Sequence, residues 1–211
     1  MMNNILIIGA HYDDSELGVG GTAAKLAAQG KNVYKLTLTD NVTYSAHLHI
    51  DVAYETSVSE SARACEVLGV KEITEFQPVE CCQLFYNTEI MQRVEDTIYK
   101  YDIDTVFMHY TDDLNQDHIS ASKICLTAAR HCPNILMYQS NQYILAKPYY
   151  PSLFFDISDY IDKKREALYQ YTGDHNRYNA LFETTIEKNH IWGYSNHCSY
   201  AEGFVVHKFR L

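Results

Sequence analysis

Basic residues are the first shortage. Of 211 residues, 17 are Lys or Arg against 27 Asp or Glu, giving a formal net charge of −10. A sequence-independent grip on nucleic acid needs clustered cations to displace counterions, and adsorption to an anionic bilayer needs the same sign of charge. Neither nucleic acid nor membrane is therefore an expected partner. Long hydrophobic runs are also missing: the stretch Ile5 to Ile8 is only strand-length and nothing approaches a membrane span. No basic region followed by a signal-peptide core opens the sequence, so a cytoplasmic location is the default expectation. The six cysteines (Cys65, Cys81, Cys82, Cys125, Cys132, Cys198) have no CxxC spacing. Free thiols in a reducing compartment are the simpler reading, with the adjacent Cys81 and Cys82 a minor candidate for metal binding.

What is present is an ordinary globular composition, 46% hydrophobic and 21% charged. No internal repeat, low-complexity tract or linker interrupts it. A single domain over 1–211 is expected, with 140–211 completing and decorating a sheet. Eighteen tyrosines stand out. Tyr149 and Tyr150, between two prolines, and Tyr169 and Tyr171 are candidates for a ligand or subunit surface; half-burial with an exposed hydroxyl is the alternative.

Hydrophobic patterning predicts an α/β fold, a Rossmann-like, mostly parallel sheet with helices on both faces. Residues 4–9 (NILIIG) read as a buried strand, 11–21 as a loop, 22–29 as a helix closed by Gly30, and 33–39 as a second strand, a βαβ unit. The polar segment 41–54 reads as a loop over the site. Further helices are expected over 55–68, stopped by Gly69, and over 87–99, 119–130, 160–171 and 178–189. Strands are expected near 73–76, 103–109, 135–138, 153–157 and 203–209. Open parallel sheets bind ligands beyond the C-terminal ends of their strands. His11 follows the first strand by two residues, and His118 follows the strand ending at His109 by a nine-residue loop. Both histidines fall on one rim.

Carboxylates crowd both places. The first cluster runs Ala10-His11-Tyr12-Asp13-Asp14-Ser15-Glu16, the second Asp112-Asp113-Leu114-Asn115-Gln116-Asp117-His118. Like charges packed together cost energy unless a cation or hydrogen bonds compensate them. Imidazole with carboxylate suits Zn²⁺, and two histidines, one carboxylate and a water form an established catalytic zinc shell. Residue types alone leave Mn²⁺, Fe²⁺ and a purely structural network open, and do not choose between Asp13 and Asp14 as ligand.

The sequence resembles the PIG-L/LmbE family of zinc-dependent N-acetylglucosaminyl deacetylases. The family opens on Ala-His-Pro-Asp-Asp-x-Glu, met here by Ala10 to Glu16 and continued by Leu17-Gly18 and Gly20-Gly21. Its second motif ends in Asp-His, on Asp117 and His118, with Asp113 before it. Weaker echoes run through Leu68-Gly69, Phe155-Asp156-Ile157, Lys163-Lys164 and Ala201-Glu202-Gly203-Phe204. The resemblance implies an LmbE-like fold and one Zn²⁺ held by His11, Asp14 and His118, with Asp13 as general base. Asp117 would orient a ligand imidazole, and His109 would support the metal or substrate. The family's distal His-Pro-Arg histidine, which serves the oxyanion, maps to His175. The implied substrate is a small N-acetylated amino sugar or sugar conjugate, and self-association is compatible with the family and the tyrosines.

Three departures bear on substrate. Tyr12 replaces the motif proline. Asn115 stands where many members carry histidine. Ser57 stands where members carry an arginine three residues before the position of Glu60, and neither Arg63 nor His47-Leu48-His49 is an evident replacement. Two competing readings remain: a non-catalytic metal-binding or assembly protein of the same fold, and a nucleotide-binding module built on Gly9, Gly18, Gly20 and Gly21.

Overall fold

The computed structural model describes residues 2–47, 50–171 and 181–210. Its elements in chain order are β1 (Asn4–Gly9), α1 (Asp14–Ala28), β2 (Asn32–Thr37), β3 (Thr43–Ser45), β4 (Ile50–Val52), α2 (Tyr54–Leu68), β5 (Lys71–Glu72), α3 (Thr88–Lys100), β6 (Thr105–His109), α4 (Gln116–Ala128), β7 (Asn134–Tyr138), β8 (Leu153–Asp156), α5 (Ile161–Leu168), α6 (Glu183–Ser195) and β9 (Ala201–Lys208). Seven strands form one sheet in the order β5-β2-β1-β6-β7-β9-β8. The first five are parallel, while β9 runs antiparallel to both β7 and β8. The sheet is mostly parallel, as expected.

Alternation on β1 separates the two faces. Leu6 and Ile8 join α3 (Ile90, Val94, Ile98) and α4 (Ala121, Ile124, Cys125) in one core. Ile5 and Ile7 join Val19, Ala23 and Leu26 of α1 in another. Both faces of the central strands are covered, so their sequences read as continuous apolar runs. Outside α1 a third cluster packs Ala64 and Leu68 of α2 against Ile161, Ala167 and Leu168 of α5. No helix among the described residues is long and apolar enough to cross a membrane.

Several expected boundaries move. The strand expected at 73–76 is instead the two-residue β5, and the segment expected as a loop over 41–54 holds the antiparallel pair β3–β4. Helix α1 begins at Asp14 rather than residue 22. Three glycines lower the intrinsic helix preference there by roughly 1 kcal/mol each, but close packing against Tyr138 of β7, Lys164 of α5 and Ile157 outweighs that cost. A Cβ on Gly18 would lie 2.1 Å from the Tyr138 ring. Gly18, Gly20 and Gly21 are helix interior packed against Tyr138, Lys164 and Ile157, not a phosphate-cradling loop, and the nucleotide-binding reading loses its cue. Gly18→Ala, normally favourable in a helix, is therefore expected to destabilise by about 1–3 kcal/mol through overpacking. Thermal unfolding checks this; a melt at or above the wild-type temperature would contradict it.

Two of the singled-out tyrosines are structural. The Tyr149 hydroxyl lies 2.8 Å from the Met137 carbonyl and 2.7 Å from that of Gly203. Tyr171 is buried and donates to the Tyr12 carbonyl at 2.7 Å. Tyr150 is exposed, and Tyr169 bonds Glu183.

Candidate metal centre

Strand order reverses at β1. The chain leaves β1 toward β2 and β5, then returns to lay β6 on its other side. That reversal opens a crevice beyond the strand ends, the place where such sheets bind ligands. The loop after β1 delivers His11, Asp13 and Asp14; the loop after β6 delivers Asp113, Asn115, Asp117 and His118. Gly9 lets the first loop fold back, since a Cβ there would lie 2.8 Å from the His11 carbonyl.

Three donors converge. His11 Nδ1 lies 3.2 Å from His118 Nε2 and 3.4 Å from Asp14 Oδ2, and His118 Nε2 lies 3.2 Å from Asp14 Oδ1. Donors about 2.0–2.1 Å from a tetrahedral zinc stand about 3.3–3.4 Å apart, and the two imidazole nitrogens stand about that far from each other and each from one of the two Asp14 oxygens. Each imidazole is backed on its other nitrogen by a carboxylate. His118 Nδ1 meets Asp113 Oδ2 at 3.1 Å, and His11 Nε2 meets Asp117 Oδ2 at 3.3 Å. A proton on the backed nitrogen leaves the facing nitrogen as a lone pair, which is the tautomer a metal requires. Asp14 is itself steadied by the His11 N–H at 2.7 Å. The donor set and its spacing could hold a divalent metal ion.

Electrostatics agree with the geometry. Among the described residues, the ion-pair partners of Asp14, Asp113 and Asp117 are all histidines. Burial alone would push Asp14 up, yet His118, His109 and the His11 contact hold it well below the usual carboxylate range. Burial likewise opposes charge on His118, but Asp14 and Asp113 overcome it and raise its pKa to about 9. A proton held this firmly marks a place where negative potential awaits a cation.

Asp13 occupies the N-cap of α1, is 5% exposed and lines the cavity. His109 is buried under the cluster, its ring stacked on His118 at 4.0 Å and its Nε2 3.1 Å from both Ala10 N and Asp14 Oδ2; burial and His118 lower its pKa. It supports the cluster from beneath and does not line the cavity. Asn115 caps α4, its Oδ1 accepting from Asp117 N at 2.8 Å and His118 N at 3.4 Å. Asparagine is among the best N-cap residues, which gives this departure a local purpose. Ser57 is buried and accepts from Asn41 Nδ2 at 3.0 Å. Arg63 bonds Gln170 on the surface and His47 lies against Ser45. His175 and His49 lie outside the described residues.

Some contributors have only a faint signature in the sequence. Lys35, in the inner half of β2, sends its buried ammonium to Glu16 Oε1 at 2.8 Å, Ser61 Oγ at 2.8 Å and the Tyr12 carbonyl at 2.5 Å. It thereby ties the His11 loop to the sheet and gives Glu16 an ion-pair role. Burial opposes the charge on Lys35, but Glu16 outweighs it and holds the pKa well above the ordinary value. A lone charged residue in a strand flanked by Val33, Tyr34 and Leu36 is the one signal of this role. Tyr138 donates to the Ile8 carbonyl at 2.8 Å and reaches within 3.3 Å of His109 Nε2. Cys81 and Cys82 also reach the site, carried by a segment that continues the sheet beside β2, where Val79 bridges Thr39.

The cluster opens into a cavity of about 430 Å³, lined in part by Asp13, Asn41, Asn115, Asn141, Gln142 and Tyr143. That falls within the roughly 300–1,000 Å³ of small-molecule sites.

A mostly parallel sheet with helices on both faces is the fold of the LmbE-like deacetylases. The chain belongs to the PIG-L family: the family model, described as GlcNAc-PI de-N-acetylase, matches residues 6–129. YaiS of Escherichia coli K12, an uncharacterized deacetylase, is 27% identical over 170 residues, covering 78% of this chain and 88% of that protein. Among solved structures, the N,N'-diacetylchitobiose deacetylase of Pyrococcus horikoshii is 18% identical with a TM-score of 0.80, covering 97% of this chain and 84% of that one. The 4-carboxy-2-hydroxymuconate hydratase of Pseudomonas putida KT2440 is 20% identical with a TM-score of 0.83, covering 100% and 98%. At these identities the structural likeness shows the fold.

Proposed function

We propose that this chain is a zinc-dependent hydrolase that removes an N-acetyl group from an amino sugar or sugar conjugate, with the metal held by His11, Asp14 and His118. The observation that carries this is the convergence of His11 Nδ1, His118 Nε2 and the Asp14 carboxylate, each imidazole 3.2–3.4 Å from one Asp14 oxygen, with a second carboxylate behind each imidazole. The orphaned buried Asp117 Oδ1 adds to the surplus of negative groups that a cation would offset. Family membership directs the site toward amide hydrolysis. A bound metal would lower the pKa of its water and polarise the acetyl carbonyl.

The protein's own residues divide the remaining work. Asp13 accepts the proton of the attacking water and returns it to the departing nitrogen as the C–N bond breaks, so acetate and a free amine leave. Asp113 and Asp117 keep His118 and His11 in the metal-facing tautomer. His175 is the proposed oxyanion partner, with Asn115, which lines the cavity, as the described alternative. The amides of Asn41, Asn141 and Gln142 offer neutral donors and acceptors suited to sugar hydroxyls.

A hydratase of the same fold means that architecture alone does not select the reaction, so the test reads both metal and product. The purified chain is expected to carry zinc at this centre and to release acetate from a panel of N-acetylated sugars and sugar nucleotides. His118→Ala removes one of three donors and is expected to lower metal affinity by at least the 10–100-fold seen for supporting residues alone. Elemental analysis after dialysis checks it. A folded, zinc-loaded protein that deacetylates nothing in the panel would reject the activity, and unchanged metal content in His118→Ala would reject the site.

A further inference from the structure

Three donor groups gather on the far side of His11: the thiols of Cys81 and Cys82 have no part in the proposed reaction, and Asp117 serves it only through His11. Cys81 Sγ lies 3.8 Å from Cys82 Sγ and 3.9 Å from Asp117 Oδ2. His11 Nε2, Cys81 Sγ and an Asp117 oxygen all fall within 4.8 Å of one another. Adjacent side chains in an extended segment point to opposite sides. Here Cys82 adopts φ of 66°, which breaks that alternation and allows both sulfurs to share one side.

The local scaffold holds this arrangement. Cys82 N donates to Asp117 Oδ2 at 2.8 Å, Cys81 N to Asp40 Oδ1 at 2.9 Å, and Gln116 Nε2 to the Cys82 carbonyl at 2.8 Å. The sulfurs are far beyond the roughly 2.05 Å of a disulfide, so they form a dithiol. Two thiolates on a tetrahedral zinc at about 2.3 Å stand about 3.8 Å apart. Asp117 is 1% exposed, and its Oδ1 has no hydrogen-bond partner among the described residues. Both cysteines line the same cavity as Asp13 and Asn115.

We propose that Cys81 and Asp117, with the exposed Cys82 thiol turning in as the ion binds, form a second cation site, thiolate-based and selective for a soft divalent ion such as zinc, at the edge of the cavity. Two thiols lose their protons as the ion binds, so the step releases two protons and needs no oxidant or reductant. His11 Nε2 is the neighbouring fourth donor, available only when its own proton leaves. Asp117 links the two centres: an ion drawn onto it competes with its hydrogen bond to His11. The site goes beyond the deacetylase reading and does not depend on it.

Cadmium titration of the reduced, metal-free full-length chain tests the proposal, because sulfur-to-cadmium charge transfer absorbs in the ultraviolet and oxygen or nitrogen ligation does not. The wild type is expected to develop the band, and Cys81→Ser/Cys82→Ser to lose most of it while folding normally. His118→Ala, which damages only the first centre, is expected to keep it. In parallel, zinc should slow alkylation of Cys81 and Cys82 at least about tenfold relative to Cys198, read by peptide mass spectrometry. A missing wild-type band, or one that survives in the double variant, overturns the site, as does alkylation indifferent to zinc. A band that disappears with His118 would assign the sulfur to the first centre and likewise overturn a separate one. Failure of acetate release touches none of these readouts.

Discussion

Asp13→Asn is expected to lower the turnover of acetate release by about 10²–10⁴-fold, the usual contribution of a general base, with little change in KM and none in metal content. Asparagine has the same shape, and Asp13 makes no side-chain capping bond that α1 would lose, so the helix still starts beside it. What it loses is the capacity to take a proton. The fold-change corresponds to about 3–5 kcal/mol in the barrier. Steady-state kinetics with zinc quantified in the same preparation checks the result. Near-wild-type turnover in a zinc-loaded variant would remove Asp13 from the reaction.

The second large effect concerns stability. Lys35→Met is expected to cost roughly 3–5 kcal/mol, the penalty for leaving one member of a buried ion pair uncompensated. Glu16 is 1% exposed and Lys35 its cationic partner at 2.8 Å. Burial already raises the Glu16 pKa against the opposing pull of Lys35; without the ammonium it rises further. A carboxyl whose folded pKa exceeds its unfolded value is penalised above the folded pKa and relieved as pH falls through it. The loss in Lys35→Met should therefore shrink on acidification. Replacing both residues, as Lys35→Met/Glu16→Leu, should recover much of the stability, since an apolar pair of similar volume costs no desolvation. Urea unfolding at two pH values measures all three. A single variant as stable as wild type would show that the pair contributes nothing.

The parts of the fold written in local patterning were legible. β1, β6 and β7 are buried on both faces and appear as uninterrupted apolar runs. Gly69 closes α2 in the left-handed conformation, as its position after the apolar stripe implies. Parts decided by distant neighbours were not. The early start of α1 depends on Tyr138, 120 residues away, filling the space over Gly18. β5 is too short to carry a pattern, and β3–β4 lies in a polar segment with no buried face to announce it.

The same division runs through the site. Strand ends alone bring His11 and His118 to one rim, and the family motif singles out Asp14 beside them. Lys35, Tyr138 and Cys81 act on groups 19 to 130 positions distant. Their types, a lysine in a strand and a cysteine in a loop, have ordinary explanations until the chain is folded. Ser57 shows the converse: the substitution was visible, while its bond to Asn41 on the cavity wall was not.

Tyr12 has a bearing on the order in which the protein is assembled. A proline at this position would restrict the loop in the unfolded chain, because its ring fixes φ before any tertiary contact exists. With tyrosine, that restraint comes from outside: the carbonyl is clasped by Lys35, 23 residues on, and by Tyr171, 159 residues on. Contacts of such separation form late, after the entropy of closing long loops has been offset by other packing. The loop bearing His11 and Asp14 thus takes its final shape only when the last third of the chain has docked, and a nascent or truncated chain would hold the proposed metal ligands without the geometry to use them.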